Sequence, residues 1–344
     1  MNALPFNDYQ ATKPNGPALF TRIGTALPKV PASFFGMVLG LGGLGFSWRA
    51  AEQVWPVPAE IGEALMAVAA VIWAVIILLY GLKWVFAREE ALAEAMHPIQ
   101  CCFIGLGGVS TMVIAGGALP YSRLGAEILF GLGAAFTAGF AIWRTGLLWQ
   151  GNRDPAATTP VLYLPTVAGG FVMATVAAAL GYPDWGQLAF GVALFSWFAI
   201  ESVLLHRLYT QPTKAPALRP TLGIQLAPPA VGAVAYLSVN GGAPDLVAHA
   251  MIGYALLQAL LLLRLLAWIL EQPFGASYWA FTFGATALAT APLRLVAHGD
   301  HGPMAVLAPY LFAGANITVG LVAVGTLYLL VRGRLLPKPA PAAK

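Results

Sequence analysis

Few side chains in this sequence could do chemistry, and most that could are poorly placed for it. His298, Asp300 and His301 fall together in AHGDHG and are donor types for a metal, but no complementary cluster stands elsewhere in the chain, so the segment reads as a solvated loop. Cys101 and Cys102 are adjacent within an apolar run, which offers neither a disulfide framework nor ligand spacing. Gly40 to Gly45, GLGGLG, meets the dinucleotide-binding pattern in letters. No strand precedes it and no βαβ unit follows, so it reads as close helix packing. No Ser, His and Asp arrangement offers a nucleophile, and no phosphate loop offers ATP as an energy source. Enzymatic activity, a metal and a cofactor are therefore not expected.

Two ionisable residues lie inside apolar runs: Glu201 in IESVLLHRL and Arg264 in LLLRLLAW. Each alone would cost about 2.5–3.5 kcal/mol at the centre of a membrane helix. The expectation is that they are structural, pairing with each other, or with Arg144 or His206; a proton-coupling carboxylate is the alternative.

The remaining candidate is steric. The charge-free stretch Tyr278 to Thr290, YWAFTFGATALAT, puts Phe281 and Phe283 beside Gly284. A bulky ring next to an absent side chain could form a movable hydrophobic plug, and aromatic rings are equally common in ordinary helix packing. Residue types alone leave both readings open. Two residues apart on a helix, Phe281 and Phe283 point about 200° apart, so both cannot face one narrow channel.

Such a ring needs helices to position it, and the composition supplies them. Of 344 residues 59% are hydrophobic and 9% charged, against about 25% charged in soluble domains, and the mean hydropathy is +0.75. Apolar runs bounded by charge, Pro or Gly predict ten spans of an all-α integral membrane protein. These are residues 33–50, 61–87, 99–118, 122–149, 161–181, 186–208, 222–240, 246–270, 278–298 and 304–331. The start of the chain shows no charged lead into an apolar core with a small-residue cleavage site, so no removable signal peptide is expected. A weakly amphipathic piece runs from Leu19 to Leu27. Domains are expected as a tail over 1–31, the helical domain over 32–331 and a second tail over 332–344. Of the 18 Lys and Arg residues, only Arg49, Arg123 and Arg294 fall on one side of the membrane, which puts both termini in the cytoplasm. Trp84, Trp149, Trp268 and Trp279 are placed at the inner surface, and Trp48, Trp55 and Trp185 at the outer one. Topology accounts for the net charge of +4 without a nucleic-acid partner.

The odd-numbered spans recur about every 60 residues, implying five helical hairpins. In each, the first helix is rich in Gly, Pro, Ser and Thr and the second in bulky apolar residues, so the odd helices are expected inside and the even ones against lipid. Pro165 and Pro228 lie within odd spans, where they free carbonyls. Those carbonyls need either protein or a water-filled space, and the two readings stay open. The odd helices carry almost no charge away from their ends. If they enclose a path, it is lined by small apolar and hydroxyl residues (Ser110, Thr111, Thr166, Thr175, Thr282, Thr286), which would weakly favour anions that shed water easily.

FFGMVLGLGGL, YLPTVAGG, ESVLLHRL, TLGIQLAPPAVGAVAYLSVNGG and YWAFTFGATALA, in this order, resemble the tellurite-resistance/dicarboxylate transporter family, related to the plant guard-cell slow anion channels. The resemblance covers residues 32 to 331. It implies ten transmembrane helices as five hairpins with quasi-fivefold symmetry around a central pore, a homotrimer in the plasma (inner) membrane, and conduction of chloride and nitrate. It implies that Phe283 occludes the pore, with Phe35 and Gly36 lining it nearby; Gly284, next to Phe283 in sequence, is expected to line it too. Pro165 and Pro228 match the family's helix-breaking prolines as bends of the inner helices, whereas those on the first and third spans are replaced by Val38, which does not favour a bend, and Gly108, which still permits one. A gated anion channel is the leading expectation. A secondary transporter exporting C4-dicarboxylates, sulfite or tellurite-like oxyanions is the alternative.

Overall fold

A chain this apolar must satisfy its backbone N–H and C=O groups internally, and helices do so within each segment. The computed structural model describes residues 28–151 and 153–336, and every regular element among them is helical. The amphipathic piece at 19–27 lies outside the described residues, as do most of the two tails. Eleven α-helices follow in order: α1 Phe35–Glu52, α2 Ala59–Phe86, α3 Arg88–Met96, α4 Leu106–Ala118, α5 Arg123–Trp149, α6 Gly169–Ala179, α7 Pro183–Thr210, α8 Ala227–Val239, α9 Leu246–Ile269, α10 Thr282–Ala297 and α11 Pro303–Val331. Nine helical stretches among the described residues are long and apolar enough to cross a membrane. Glycine-rich α1, of 18 residues, is the tenth long helix. The chain is a multi-pass membrane protein. Only α3 has no counterpart among the expected spans. It is pinned by Glu94, which accepts from Lys83 Nζ at 2.7 Å, Tyr80 Oη at 3.2 Å and the Ala32 amide at 2.8 Å.

The inner and outer assignment is decided by burial. The stretches ending in α4, α6, α8 and α10 are 61–83% buried over their most apolar windows, whereas those of α2, α5, α7, α9 and α11 are 17–33% buried. In α1, 13 of 18 residues are buried. The small-residue helices pack in a closed ring: α1 on α4, α4 on α6, α6 on α8, α8 on α10, and α10 back on α1. Each outer helix lies against the inner helix that precedes it in sequence.

Four inner helices start with a tighter 3-10 turn: Ala32–Phe34, Gln100–Gly105, Pro216–Leu226 and Ala276–Phe281. The remaining one begins with Pro160–Leu162 and a π turn, Leu164–Ala168. Pro165 is in that π turn, and Pro228 is the second residue of α8, just past the junction with the 3-10 stretch Pro216–Leu226, where it has no N–H to carry the hydrogen-bond ladder across. Gly108 sits inside α4 at a close approach to α5, where a Cβ would meet Gly133 O at 2.7 Å and Thr137 Oγ1 at 2.3 Å. Because one of those atoms is backbone, Gly108→Ala is expected to destabilise the protein by roughly 1–3 kcal/mol, seen as a lower melting temperature in detergent.

Lys214, in the link between α7 and the fourth inner segment, is 4% exposed, and its ammonium has no hydrogen-bond partner among the described residues. Burial, with Arg207 nearby, pulls its pKa down to about 8. Between that value and the ordinary lysine pKa of 10.5 the unfolded chain binds the extra proton, so stability should rise with pH across this window and be lowest below it. Lys214→Met is expected to abolish the rise and to add on the order of 2–3 kcal/mol at pH 7, measurable by unfolding at pH 7 and pH 10.

Candidate pore

Ring closure leaves space on its axis, and that space is divided in two. One cavity of about 140 Å³ lies toward the face where the inner helices begin, lined by Gly36, Leu39, Phe103, Tyr163, Thr221, Pro228 and others. A second, of about 100 Å³, lies toward the opposite face, lined by Gly43, Phe46, Val113, Thr175, Val234, Thr286, Thr290 and Arg294 among others. All five inner segments contribute to each cavity, and no outer helix contributes to either. Phe283 and Val231 are the two residues that line both. The Phe283 ring therefore stands where the cavities meet.

Its position follows from α10. Phe283, Ala287, Thr290 and Arg294 recur at intervals of four, three and four residues, which keeps all four on one helical face toward the second cavity. The helix is fixed at mid-height by Ser47 of α1, whose hydroxyl lies 2.9 Å from Thr286 O and 2.8 Å from Thr290 Oγ1. Below, Trp279 Nε1 donates to Thr326 Oγ1 of α11 at 2.9 Å. Trp279 is thus buried against the bundle rather than exposed on its outer surface.

The expected neighbours of the ring separate. Gly36 lines the first cavity, but Phe35 and Gly284 line neither. Phe35 is 1% exposed and packs edge-on against Tyr80, their centroids 5.8 Å apart. Gly284 faces the start of α8, where a Cβ would come within 2.9 Å of the Ala227 amide nitrogen. The glycine beside the ring is Gly43, where a Cβ would lie 2.3 Å from Thr286 Oγ1 and 3.2 Å from Phe283 Cδ2. Phe281 turns away to Tyr278 and Gly223.

Of the hydroxyl residues expected along the path, Thr175 and Thr286 line the second cavity. Ser110, Thr111 and Thr282 are buried, with their hydroxyls donating to carbonyls of their own helices. Thr166 Oγ1 is buried without a hydrogen-bond partner among the described residues.

The expected pairing of Glu201 and Arg264 is not formed. Glu201 instead accepts from three neutral donors: Tyr163 Oη, Trp197 Nε1 at 3.0 Å and Tyr254 Oη at 2.6 Å. Three donors satisfy a carboxylate without a cation. Arg264 is exposed on the outer surface of α9, where a long side chain can carry its charge toward the headgroups. Tyr163 also lines the first cavity, so the Glu201 cluster ties the cavity wall to two outer helices. In the AHGDHG loop, Asp300 holds His249 Nε2 at 2.7 Å and the Gly302 amide at 2.8 Å, and His298 Nδ1 lies 2.8 Å from Arg294 O.

Arg294, which the charge pattern of the sequence places at the far surface, lines the second cavity, and its four-three-four spacing back to Phe283 is the signal that carries this.

Comparison with known proteins fits a ring of apolar helices around a charge-poor axis. The sequence profile of the SLAC1 family, voltage-dependent anion channel, matches residues 29–327. The chain belongs to this family. It is similar to the tellurite resistance protein TehA homolog of Haemophilus influenzae, with 35% identity over 310 residues, covering 90% of this chain and 93% of that protein. It is also similar to the S-type anion channel SLAH3 of Arabidopsis thaliana, at 25% identity over 78% of this chain. The chain spans 43% of that relative's length. An uncharacterized transporter, MJ0576 of Methanocaldococcus jannaschii, matches at 22% identity over 73% of this chain. The family is one of anion channels and transporters.

Proposed function

We propose that this protein is a gated channel for small monovalent anions such as chloride and nitrate, with one pore per subunit closed by the Phe283 ring. The observation that carries the reading is that the two axial cavities, built by the five inner segments alone, share only Phe283 and Val231. A path walled mainly by aliphatic and aromatic side chains cannot replace a hydration shell, so it suits ions with weakly held water. The closed sequential ring of inner helices is what five hairpins with quasi-fivefold symmetry would produce. Segregation of Lys and Arg supports cytoplasmic termini in a plasma (inner) membrane. Assembly as a homotrimer rests on the family resemblance.

Secondary transport of oxyanions or C4-dicarboxylates is the competing reading. A planar-bilayer recording of Phe283→Ala separates the two. A current that reverses at the chloride equilibrium potential, whatever the proton or sodium gradient, identifies a channel. One whose reversal follows either gradient identifies a coupled transporter.

A further inference from the structure

Arg294 is set apart from the other basic residues of its face. Arg49 binds Glu63 through two nitrogens at 2.7 Å, and Arg123 binds Glu127 at 2.9 Å. Arg294 has no carboxylate partner among the described residues: its Nη1 donates to Ser238 Oγ at 2.7 Å and lies 3.5 Å from Val234 O, both neutral. It lines the second cavity together with Phe46, Val113, Val172, Val176, Val231 and Val234, and no acidic side chain lines that cavity. The cavity's threonines are committed elsewhere, Thr175 donating to Phe171 O, Thr286 to Phe283 O and Thr290 to Thr286 O. One guanidinium is thus the sole charge that the described residues place in a largely apolar chamber.

A cation held against apolar walls without a counter-charge is costly, and a small anion beside it offsets that cost. We propose that the second cavity is an anion-binding site in which Arg294 holds one small inorganic anion, a halide or nitrate, on the far side of Phe283 from the first cavity. Arg294 lies eleven residues from Phe283 along α10, about 16 Å at the helical rise, so the bound ion waits beyond the ring and does not touch it. With Nη1 already engaged, the guanidinium has few donors left for it. Binding is correspondingly weak, which suits an ion that must leave again. This site rests on reading the two cavities as one path, but the anion can be seen independently of conduction.

The test has two arms. Crystals of the purified full chain grown with bromide are expected to show an anomalous peak beside the Arg294 guanidinium. The peak should persist in Arg294→Lys, and Arg294→Gln should lose it. In the Phe283→Ala background, Arg294→Gln is expected to reduce the current of anions entering from the far face by roughly tenfold at low ionic strength, with a smaller reduction at high salt. Arg294→Lys should restore most of it. A wild-type map with no bromide in the cavity, or a current that Arg294→Gln leaves unchanged, would overturn the assignment. Bromide at Arg294 together with a silent Phe283→Ala would keep the site and refute the channel reading.

Discussion

Phe283→Ala should turn a nearly silent protein into one that passes chloride and nitrate continuously. On the proposed channel reading, an anion would cross from the first cavity to the second only if the Phe283 ring, which with Val231 lines both and lies near Gly43, left its place. Displacing it gives up the packing of a partly buried aromatic side chain, worth roughly 1.5–3 kcal/mol. Removing that term from the barrier corresponds to an increase of about 10- to 100-fold in current. The current should be graded by ring size, with Phe283→Leu between wild type and alanine. Phe281→Ala should do nothing comparable, because that ring packs on Tyr278 away from both cavities. Equal currents from Phe281→Ala and Phe283→Ala would show that loosened packing, and not removal of an occluding ring, opens the path.

Glu201→Ala is expected to cost the most folded protein of any single change considered. It strands the hydroxyls of Tyr163 and Tyr254 and the indole N–H of Trp197 around an empty space in the apolar bundle. A buried donor left without an acceptor costs about 1–3 kcal/mol, so losing three approaches the whole stability of an ordinary domain. Glu201→Gln keeps one acceptor oxygen and should fall between. Arg264→Ala, on the exposed face of α9, should neither mimic nor rescue the loss. Yields of monodisperse protein and melting temperatures of these three variants and of the Glu201→Ala/Arg264→Ala double variant measure this directly.

The alternation of small-residue and bulky spans was enough to read which helices face inward, because lipid contact and close packing demand different side chains at every turn. What it could not yield was the order around the ring. Sequential closure from α10 back to α1 depends on contacts such as Ser47 with Thr290, 243 residues apart, and no local pattern encodes them. Glu201 was legible as an anomaly but not in its partners, since charge bookkeeping points to a cation and the actual donors are aromatic residues that look like lipid-facing or packing side chains. Phe35 follows from the family pattern and Gly284 from its adjacency to Phe283 in sequence, whereas the glycine beside the ring in space is Gly43, two turns beyond Phe35 along α1. Helix α3 was missed because its nine residues, REEALAEAM, carry charge where a span would be apolar, and it is held by the buried Lys83 and Glu94 pair.

The tight 3-10 turn that opens each inner helix, with a π turn added in the third, also fixes an angle. A 3-10 residue advances the chain by about 120° and an α residue by about 100°, so moving the seam by one residue rotates everything beyond it by about 20° and shifts it by about 0.5 Å. The last such seam falls between Phe281 and Thr282, one residue before Phe283. The direction in which that ring points is therefore set by the hydrogen-bond pattern directly beneath it, and the Ser47 contacts to Thr286 and Thr290 hold α10 in the one register that this seam dictates.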